Sequence, residues 1–294
     1  MSPKACCGLA PVLLALGGCI SWDAGWTNVP PGEGARETVD ALLRRAESQV
    51  AAADTTARLE AVIATFEAVL RIEPDHPEAL GKLAMYHTLL GAGHRESRGD
   101  KQAQYRQALR LGERLMYRNP RFKALVDRGE EVWDASRVLT AEEADGMGWW
   151  STAMFYYFKE CVPDIFKIFN NRWVRRNKQI MDRLSAVAPG WHGGANEFNL
   201  GIYYLALPES VGGDMKKSAR YLARAENRRP DRLLVKWGRA KYFHYKRGDR
   251  DGFRRDLEWV LAQDPRVDTG DPYPWNVYFQ RDARAMLGQI DELF

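Results

Sequence analysis

The side chains that most often carry catalysis or bind metals are few in this 294-residue chain and follow no known catalytic pattern. None of the five histidines belongs to a His-Glu-x-x-His sequence, which would place two zinc ligands on one helix face. The sequence also contains no Cys-x-x-Cys pair, no Gly-x-Ser-x-Gly nucleophile turn and no Rossmann glycine pattern. We therefore expect no catalytic residue, no metal site and no cofactor, and we predict that the protein is not an enzyme. The histidines are His76, His87, His94, His192 and His244.

Cys19 is the residue whose surroundings indicate a specific covalent modification. It follows Leu16-Gly17-Gly18, which ends a short apolar run that begins at Leu9. The run is too short to span a bilayer but is typical of the apolar part of a secretory signal peptide. Small residues before a cysteine resemble the bacterial lipobox, in which the cysteine is lipidated and becomes the new N-terminus. The sequence predicts a lipoprotein signal peptide over residues 1–18 and a lipid anchor on Cys19; the alternative is an ordinary signal peptide.

The remaining cysteines exclude an intramolecular disulfide in the mature protein. Cys6 and Cys7 leave with the signal peptide, so that Cys161 is the only free thiol once Cys19 is lipidated. Cys161 lies in an aromatic-rich stretch with no histidine nearby. We expect it to be a buried apolar residue rather than a nucleophile.

The charge of the chain gives no reason to expect a nucleic-acid partner. The net charge is +4, and the basic clusters are interleaved with acidic residues, so solvated helix faces are the first interpretation. A surface that meets acidic lipid headgroups or an acidic partner is the alternative. The clusters are Arg172, Arg175, Arg176 and Lys178; Lys216, Lys217 and Arg220; and Arg228, Arg229 and Arg232.

The elements that position these residues are predicted to be helices. Residues 21–35 are rich in glycine and proline, so we expect a lipidated N-terminus and flexible tether over 19–35 and a folded domain over 36–294. Within the domain, apolar residues recur at helical spacing, as at Leu59, Val62 and Phe66, and no run of alternating β-branched residues interrupts them. The fold class that follows is all-α.

The predicted helices come in pairs that end in the same way. An apolar residue precedes a proline by four or five positions at Pro74, Pro120, Pro230 and Pro265, and a proline there stops a helix. The spacing is 46 residues between the first two prolines and 35 between the last two, which is the 34-residue tetratricopeptide (TPR) period lengthened by insertions. The sequence thus predicts TPR-like helical hairpin repeats, packed into a solenoid-like single domain.

A central stretch is aromatic or apolar on every face of its predicted helix. Such a helix is buried all round, or it lines an internal cavity, and both interpretations remain open. Tyr203 and Tyr204 come from a later helix that could face it. The candidate cavity-lining residues are Trp149, Trp150, Phe155, Tyr156, Tyr157, Phe158, Tyr203 and Tyr204.

The segment from Pro208 to Asp214 has the composition of a structural loop. Pro208 ends one helix, Gly212 and Gly213 allow backbone angles that other residues avoid, and Asp214 can cap the next helix. A phosphate-binding loop is the alternative, but the Gly-Lys-Ser/Thr of a Walker sequence is missing.

The last hundred residues carry a more specific pattern. GANEFNLGIYY at 194–204 leads into LPESVGGD at 207–214, an Ala-containing helix follows, and the chain ends on RDARAML at 281–287 and DELF at 291–294. This succession resembles the T component of TPR-protein-associated TRAP transporters, the TatT family of TPR-like bacterial periplasmic lipoproteins. The resemblance covers roughly residues 36–294, and the helix around Trp149 and Trp150 stands where the family has its aromatic mid-chain helix.

The resemblance implies an accessory lipoprotein of a TRAP-type periplasmic solute import system. Its partner would be the periplasmic substrate-binding subunit, it could cradle a small apolar ligand, and a homo-oligomer is expected, with a trimer as a guess. The expected location is the periplasm, with the lipid anchor in the outer membrane because Ile20 rather than an aspartate follows Cys19. Alternatives are a TPR-like scaffold lipoprotein of envelope assembly, which would bind a partner's segment in a groove, and an undetected envelope hydrolase.

Overall fold

The computed structural model describes residues 20–32, 37–167, 169–267 and 269–294, and all regular structure in these ranges is helical. The predicted signal peptide and Cys19 lie outside the described residues. The α-helices are α1 (Val39–Val50), α2 (Thr56–Ile72), α3 (Pro77–His94), α4 (Arg98–Tyr117), α5 (Pro120–Val126), α6 (Val132–Ala135), α7 (Ala144–Tyr156), α8 (Asp164–Lys167), α9 (Arg172–Val187), α10 (Ala195–Ala206), α11 (Met215–Arg228), α12 (Leu233–Gly238), α13 (Tyr245–Arg247), α14 (Arg250–Ala262), α15 (Tyr273–Gly288) and α16 (Ile290–Leu293). The all-α prediction is confirmed.

The helices begin and end where local chemistry requires it. Ser97 and Asn119 accept hydrogen bonds from the free N–H groups of the first turns of α4 and α5. Each of the four prolines that the sequence marked as stops follows the end of a long helix by two or three residues. Pro120 also begins α5, a position at which proline has no N–H to lose.

Consecutive helices pack as hairpins, as the repeat pattern predicted. α3 packs against α4, α10 against α11, and α14 against α15, with neighbouring hairpins in contact through α2 and α3 and through α4 and α7. In the α10–α11 hairpin, a Cβ on Gly201 would lie 3.0 Å from the side chain of Leu222. The glycine therefore permits the close approach of the second helix.

The N-terminal segment, residues 20–32, lies on the helical domain rather than extending away from it. Ile20 is buried, the indole of Trp22 lies 5.1 Å from that of Trp173, and Trp26 stacks on Tyr117 at 4.9 Å. This corrects the expectation of a flexible tether for the described part of the segment. Gly and Pro indicated mobility, but the tryptophans between them provide enough apolar area to hold the segment in place.

Cys161 is buried, and burial raises the pKa of its thiol to about 11. The thiol is therefore protonated near neutral pH and is a poor nucleophile, as predicted. Within the described ranges, none of the helices is both long enough and apolar enough to cross a membrane.

Candidate functional site

A cavity of about 520 Å³ lies beside α7, in the middle of the chain. Its walls come from α7, α9, α10, α12 and α15, so it lies between hairpins that are far apart in the sequence. This volume is within the range of small-molecule sites in proteins. Aromatic and aliphatic side chains form most of the wall: Trp149, Phe155, Tyr156, Phe158, Trp173, Trp191, Phe198, Ile202, Trp237, Tyr242, Trp275 and Phe279.

The two neighbouring tryptophans of α7 point to different environments. Trp149 lines the cavity and meets Trp191 edge to face, with ring centroids 5.4 Å apart. Trp150 is fully buried on the other side, where its indole N–H donates to Glu113 Oε1 over 3.1 Å. Successive helical residues differ by about 100° in direction, so one side chain faces the space between hairpins and the other faces α4.

The other aromatic candidates divide in the same way. Phe155, Tyr156 and Phe158 line the cavity. Tyr157 does not, because its hydroxyl accepts a hydrogen bond from Gln102 of α4 over 2.9 Å. From α10, Tyr203 lines the cavity, whereas the ring of Tyr204 stacks on Tyr221 of α11 at 5.6 Å. Five of the eight candidates therefore line the cavity, and the other three take part in ordinary packing between helices.

The strongest additions to the predicted wall are four tryptophans from other elements: Trp173, Trp191, Trp237 and Trp275. Trp191 can approach α7 only because Gly148 has no side chain, since a Cβ there would lie 2.2 Å from the indole ring. The high count of ten tryptophans was a signal for such a site. Sequence reasoning missed them because helical periodicity does not show which distant helices meet.

An ion pair closes one side of the cavity. Arg232 and Asp271 both line it and are both buried, and the Arg232 Nε–Asp271 Oδ2 distance is 2.6 Å. Arg232 also donates to the backbone oxygen of His192, which has a left-handed φ of 42°. A non-glycine residue rarely adopts that conformation, and the arginine holds it there.

On the other side of Trp149, Asp145 accepts hydrogen bonds from Trp191 Nε1 over 2.7 Å and from His192 Nε2 over 3.1 Å. Burial acts to raise the pKa of Asp145, but the bonds from His192 and Trp191 outweigh it, and the net shift is downward. Asp145 is therefore ionised at neutral pH and orients the two rings that stand against Trp149. We interpret it as a positioning group for the wall.

Two π-helical turns meet at the cavity. Tyr157–Cys161 continues α7, and Arg239–His244 connects α12 to α13. Across this junction the Lys159 Nζ donates to the Tyr242 hydroxyl over 3.1 Å, and both residues line the cavity. Turns of this kind are frequent at functional sites because they displace side chains from regular helical directions.

Exposed apolar side chains occur in the cavity lining or within two residues of it in the chain. Tyr245 lines the cavity and is 50% exposed. Ile165 and Phe169, which flank the lining residue Lys167, are 70% and 77% exposed. Large apolar groups at this exposure are typical of interaction sites when they occur together.

The predicted structural loop lies outside the cavity wall. The side chain of Asp214 caps α11 by accepting from the backbone N–H of Lys217 over 2.8 Å. Gly212 has a φ of 104°, in the region that favours glycine. Gly213 lies so close to Leu207 that a Cβ would stand 2.0 Å from its backbone oxygen, and Pro208 precedes the short turn Glu209–Val211.

Among the described residues, no group of three or more histidine, cysteine, aspartate or glutamate side chains is arranged to hold a metal ion.

A family model described as the TRAP transporter T-component matches residues 62–294. No curated protein matches the chain. Among solved structures, the assembly chaperone of RpL4 (residues 1–338) aligns with a TM-score of 0.40 and 12% sequence identity, covering 87% of this chain and 99% of that chain. A likeness at this level carries no argument about function.

Proposed function

The chain belongs to the TRAP transporter T-component family, and on this premise we propose that it supports TRAP transport by binding the substrate-binding subunit and a small apolar ligand. Membership in the family supports the accessory role. The two binding activities and the membrane anchor are our proposals.

The observation that carries the ligand proposal is the aromatic cavity beside α7. Tryptophan, phenylalanine and tyrosine side chains make its wall apolar, and its size suits a small molecule. The free energy falls when an apolar ligand replaces water on an apolar surface of this kind. A plain packing contact between helices would fill such a space with side chains.

The exposed apolar residues in or next to the cavity lining favour docking of the substrate-binding subunit at the cavity. Ile165, Phe169 and Tyr245 would be covered by a partner, and a ligand could then pass between the two proteins without entering bulk water. A transient interface of this type requires only micromolar affinity, about −8 kcal/mol.

The proposed anchor is a lipid on Cys19, in the outer membrane. Since Ile20 is already buried against the domain, an anchor at the preceding residue would hold the domain close to the membrane surface. Mass spectrometry of the mature protein from its host tests for the lipid, and fractionation of a Cys19→Ala variant tests for the anchor.

Calorimetry with the substrate-binding subunit of the TRAP transporter from the same host tests the partner proposal. We expect micromolar binding to the domain, and a loss of about tenfold or more in Phe169→Asp, because a charge replaces a side chain that the partner would cover. Val267→Asp is the matched control, since Val267 is also exposed, at 56%, but its neighbour Arg266 contacts Ala51 of the first hairpin. Equal effects of the two substitutions, or no binding at high micromolar concentration, would contradict the proposal.

A further inference from the structure

The cavity wall has more basic than acidic side chains. Asp271 is the one carboxylate among the described lining residues, and Arg232 already binds it. Apart from this ion pair, the charged lining residues are all lysines: Lys159, Lys167, Lys241 and Lys246. An apolar ligand with no polar end would not require these charges.

Two of the four lysines are neutralised by carboxylates that do not line the cavity. Lys241 Nζ lies 2.7 Å from Asp282 Oδ2. Lys167 Nζ lies 2.7 Å from Asp164 Oδ1 at the surface. Neither requires a ligand to satisfy its charge.

The other two lysines have no short carboxylate contact. Lys246 is exposed at the surface and donates to the backbone oxygen of Leu205, and none of the ion pairs among the described residues involves it. The Lys159 Nζ makes only a long ion pair, 3.7 Å from Glu160 Oε1, which is beyond hydrogen-bond distance. The other oxygen of Glu160 is occupied by Lys101 and by the hydroxyl of Tyr105.

Two tryptophans of the wall have an indole N–H without a hydrogen-bond partner. Trp173 and Trp275 both line the cavity and are more than nine-tenths buried. Neither indole N–H has an acceptor among the described residues. Buried donors without acceptors are costly and uncommon.

We propose that the ligand of this cavity is an amphipathic acid, with its apolar body between the tryptophans and its carboxylate or phosphate oxygens bound by Lys159 and Lys246. The proposal rests on the ligand-binding part of the proposed function and adds the chemical class of the ligand. The apolar wall provides affinity, and the two ammonium groups select for negative charge.

The environment of Lys159 agrees with this assignment. Burial lowers the pKa of its ammonium group, and Glu160 and Asp282 offset that effect only in part. A bound anion would stabilise the charged form of Lys159 and raise its pKa.

Displacement of an apolar dye by four ten-carbon compounds tests the proposal: decanoate, decyl phosphate, decanol and decylamine. We expect decanoate, decyl phosphate or both to bind to the wild-type domain. Lys159→Met and Lys246→Met should each weaken the acids by about tenfold or more, the fold-change typical of a charge-assisted hydrogen bond, and leave decanol within about twofold. Methionine keeps the length and apolar character of the lysine stem. Lys123→Met, at an exposed lysine that pairs with Asp127 outside the cavity, is the control and should change nothing.

The outcomes separate this proposal from the function on which it rests. If decanol binds and neither lysine variant changes the binding of the acids, the cavity binds apolar ligands, and the proposal that its ligand is an acid is wrong. Tighter binding of decylamine than of both acids would also contradict the proposal of an acidic ligand. If none of the four compounds binds and the dye does not bind either, the ligand-binding function fails and this proposal fails with it. Binding of only one of the two acids identifies carboxylate or phosphate as the source of the oxygens.

Discussion

The two sides of α7 have similar side chains but opposite structural roles. On one side, Trp149 borders a cavity whose cations and indole N–H groups are incompletely paired. On the other, Trp150 is fully enclosed, and its N–H is bonded to Glu113. The first side has the unfilled volume that the proposed ligand would occupy, whereas the second side is filled by side chains. Aromatic content alone therefore does not distinguish the two sides of α7; unfilled volume and polar groups without partners do.

The side of α7 opposite the cavity is organised around the Glu113 carboxylate. Oε1 accepts from the indole N–H of Trp22 over 2.9 Å and from that of Trp150, and Oε2 accepts from the backbone N–H of Gly25 over 2.8 Å. Two of the three donors belong to the N-terminal segment. A single buried carboxylate thus joins α4, α7 and the chain that follows Cys19.

Truncation of the two tryptophans of α7 should give the largest difference between the sides. We expect Trp150→Ala to lower the free energy of unfolding by about 3–5 kcal/mol, as for large core truncations. Trp149→Ala should cost clearly less, because its ring already borders empty space, but should reduce binding of an apolar dye. Urea denaturation and a dye titration measure the two effects. Equal losses of stability with unchanged dye binding in both variants would remove the distinction between the sides.

On the side of α7 opposite the cavity, Glu113 should dominate the pH dependence of the free energy of unfolding. Burial raises the pKa of this carboxyl to about 7, although the bonds from Gly25, Trp150 and Trp22 act in the opposite direction. Because the pKa is raised in the folded state, the stabilising contribution is full below the unfolded pKa of about 4.5 and is lost as the pH rises through about 7. The free energy of unfolding should fall by up to about 3 kcal/mol over this window.

Urea denaturation of wild type and Glu113→Gln across the same pH window isolates this contribution. The variant should show the flatter profile, since it has no proton to lose. It should also be less stable at low pH, because an amide cannot accept from both indoles and from the Gly25 N–H at once. Parallel pH profiles for the two proteins would contradict the assignment.

Displacement of the N-terminal segment should have the smallest effect on global stability and should leave the cavity unchanged. In Gly25→Ala the new Cβ would stand 1.9 Å from the backbone oxygen of Arg110, so the segment must move. We expect a cost of about 1–2 kcal/mol and faster hydrogen exchange over residues 20–28, with normal dye binding. Gly288→Ala is the control, since a Cβ there meets nothing within 4 Å. Unchanged exchange in Gly25→Ala would mean that the segment does not depend on this contact.

The fold and the family could be predicted from the sequence because the patterns that indicate them involve residues close together in the chain. Helical spacing, the proline after each hairpin and the capping residues act within a few positions of the chain, and the Leu200-Gly201 sequence places a close contact inside one hairpin. The N-terminal segment was misjudged for the same reason. Its Gly and Pro residues indicate mobility locally, but its bonds to Glu113 join residues 88 and 91 positions apart.

The sequence by itself determined an all-α chain of hairpins with an aromatic helix at its centre. Only the tertiary structure decided which aromatic residues of that helix border free volume. Trp149 and Trp150 are identical in chemistry and adjacent in the chain, yet Trp191 and Trp275 stand beside the first and Glu113 beside the second. The physical reason is that periodicity gives the direction of a side chain relative to its own helix, whereas a cavity forms between helices. The approach of those helices depends on contacts between residues far apart in the chain, such as Gly148 with Trp191 and Arg232 with His192.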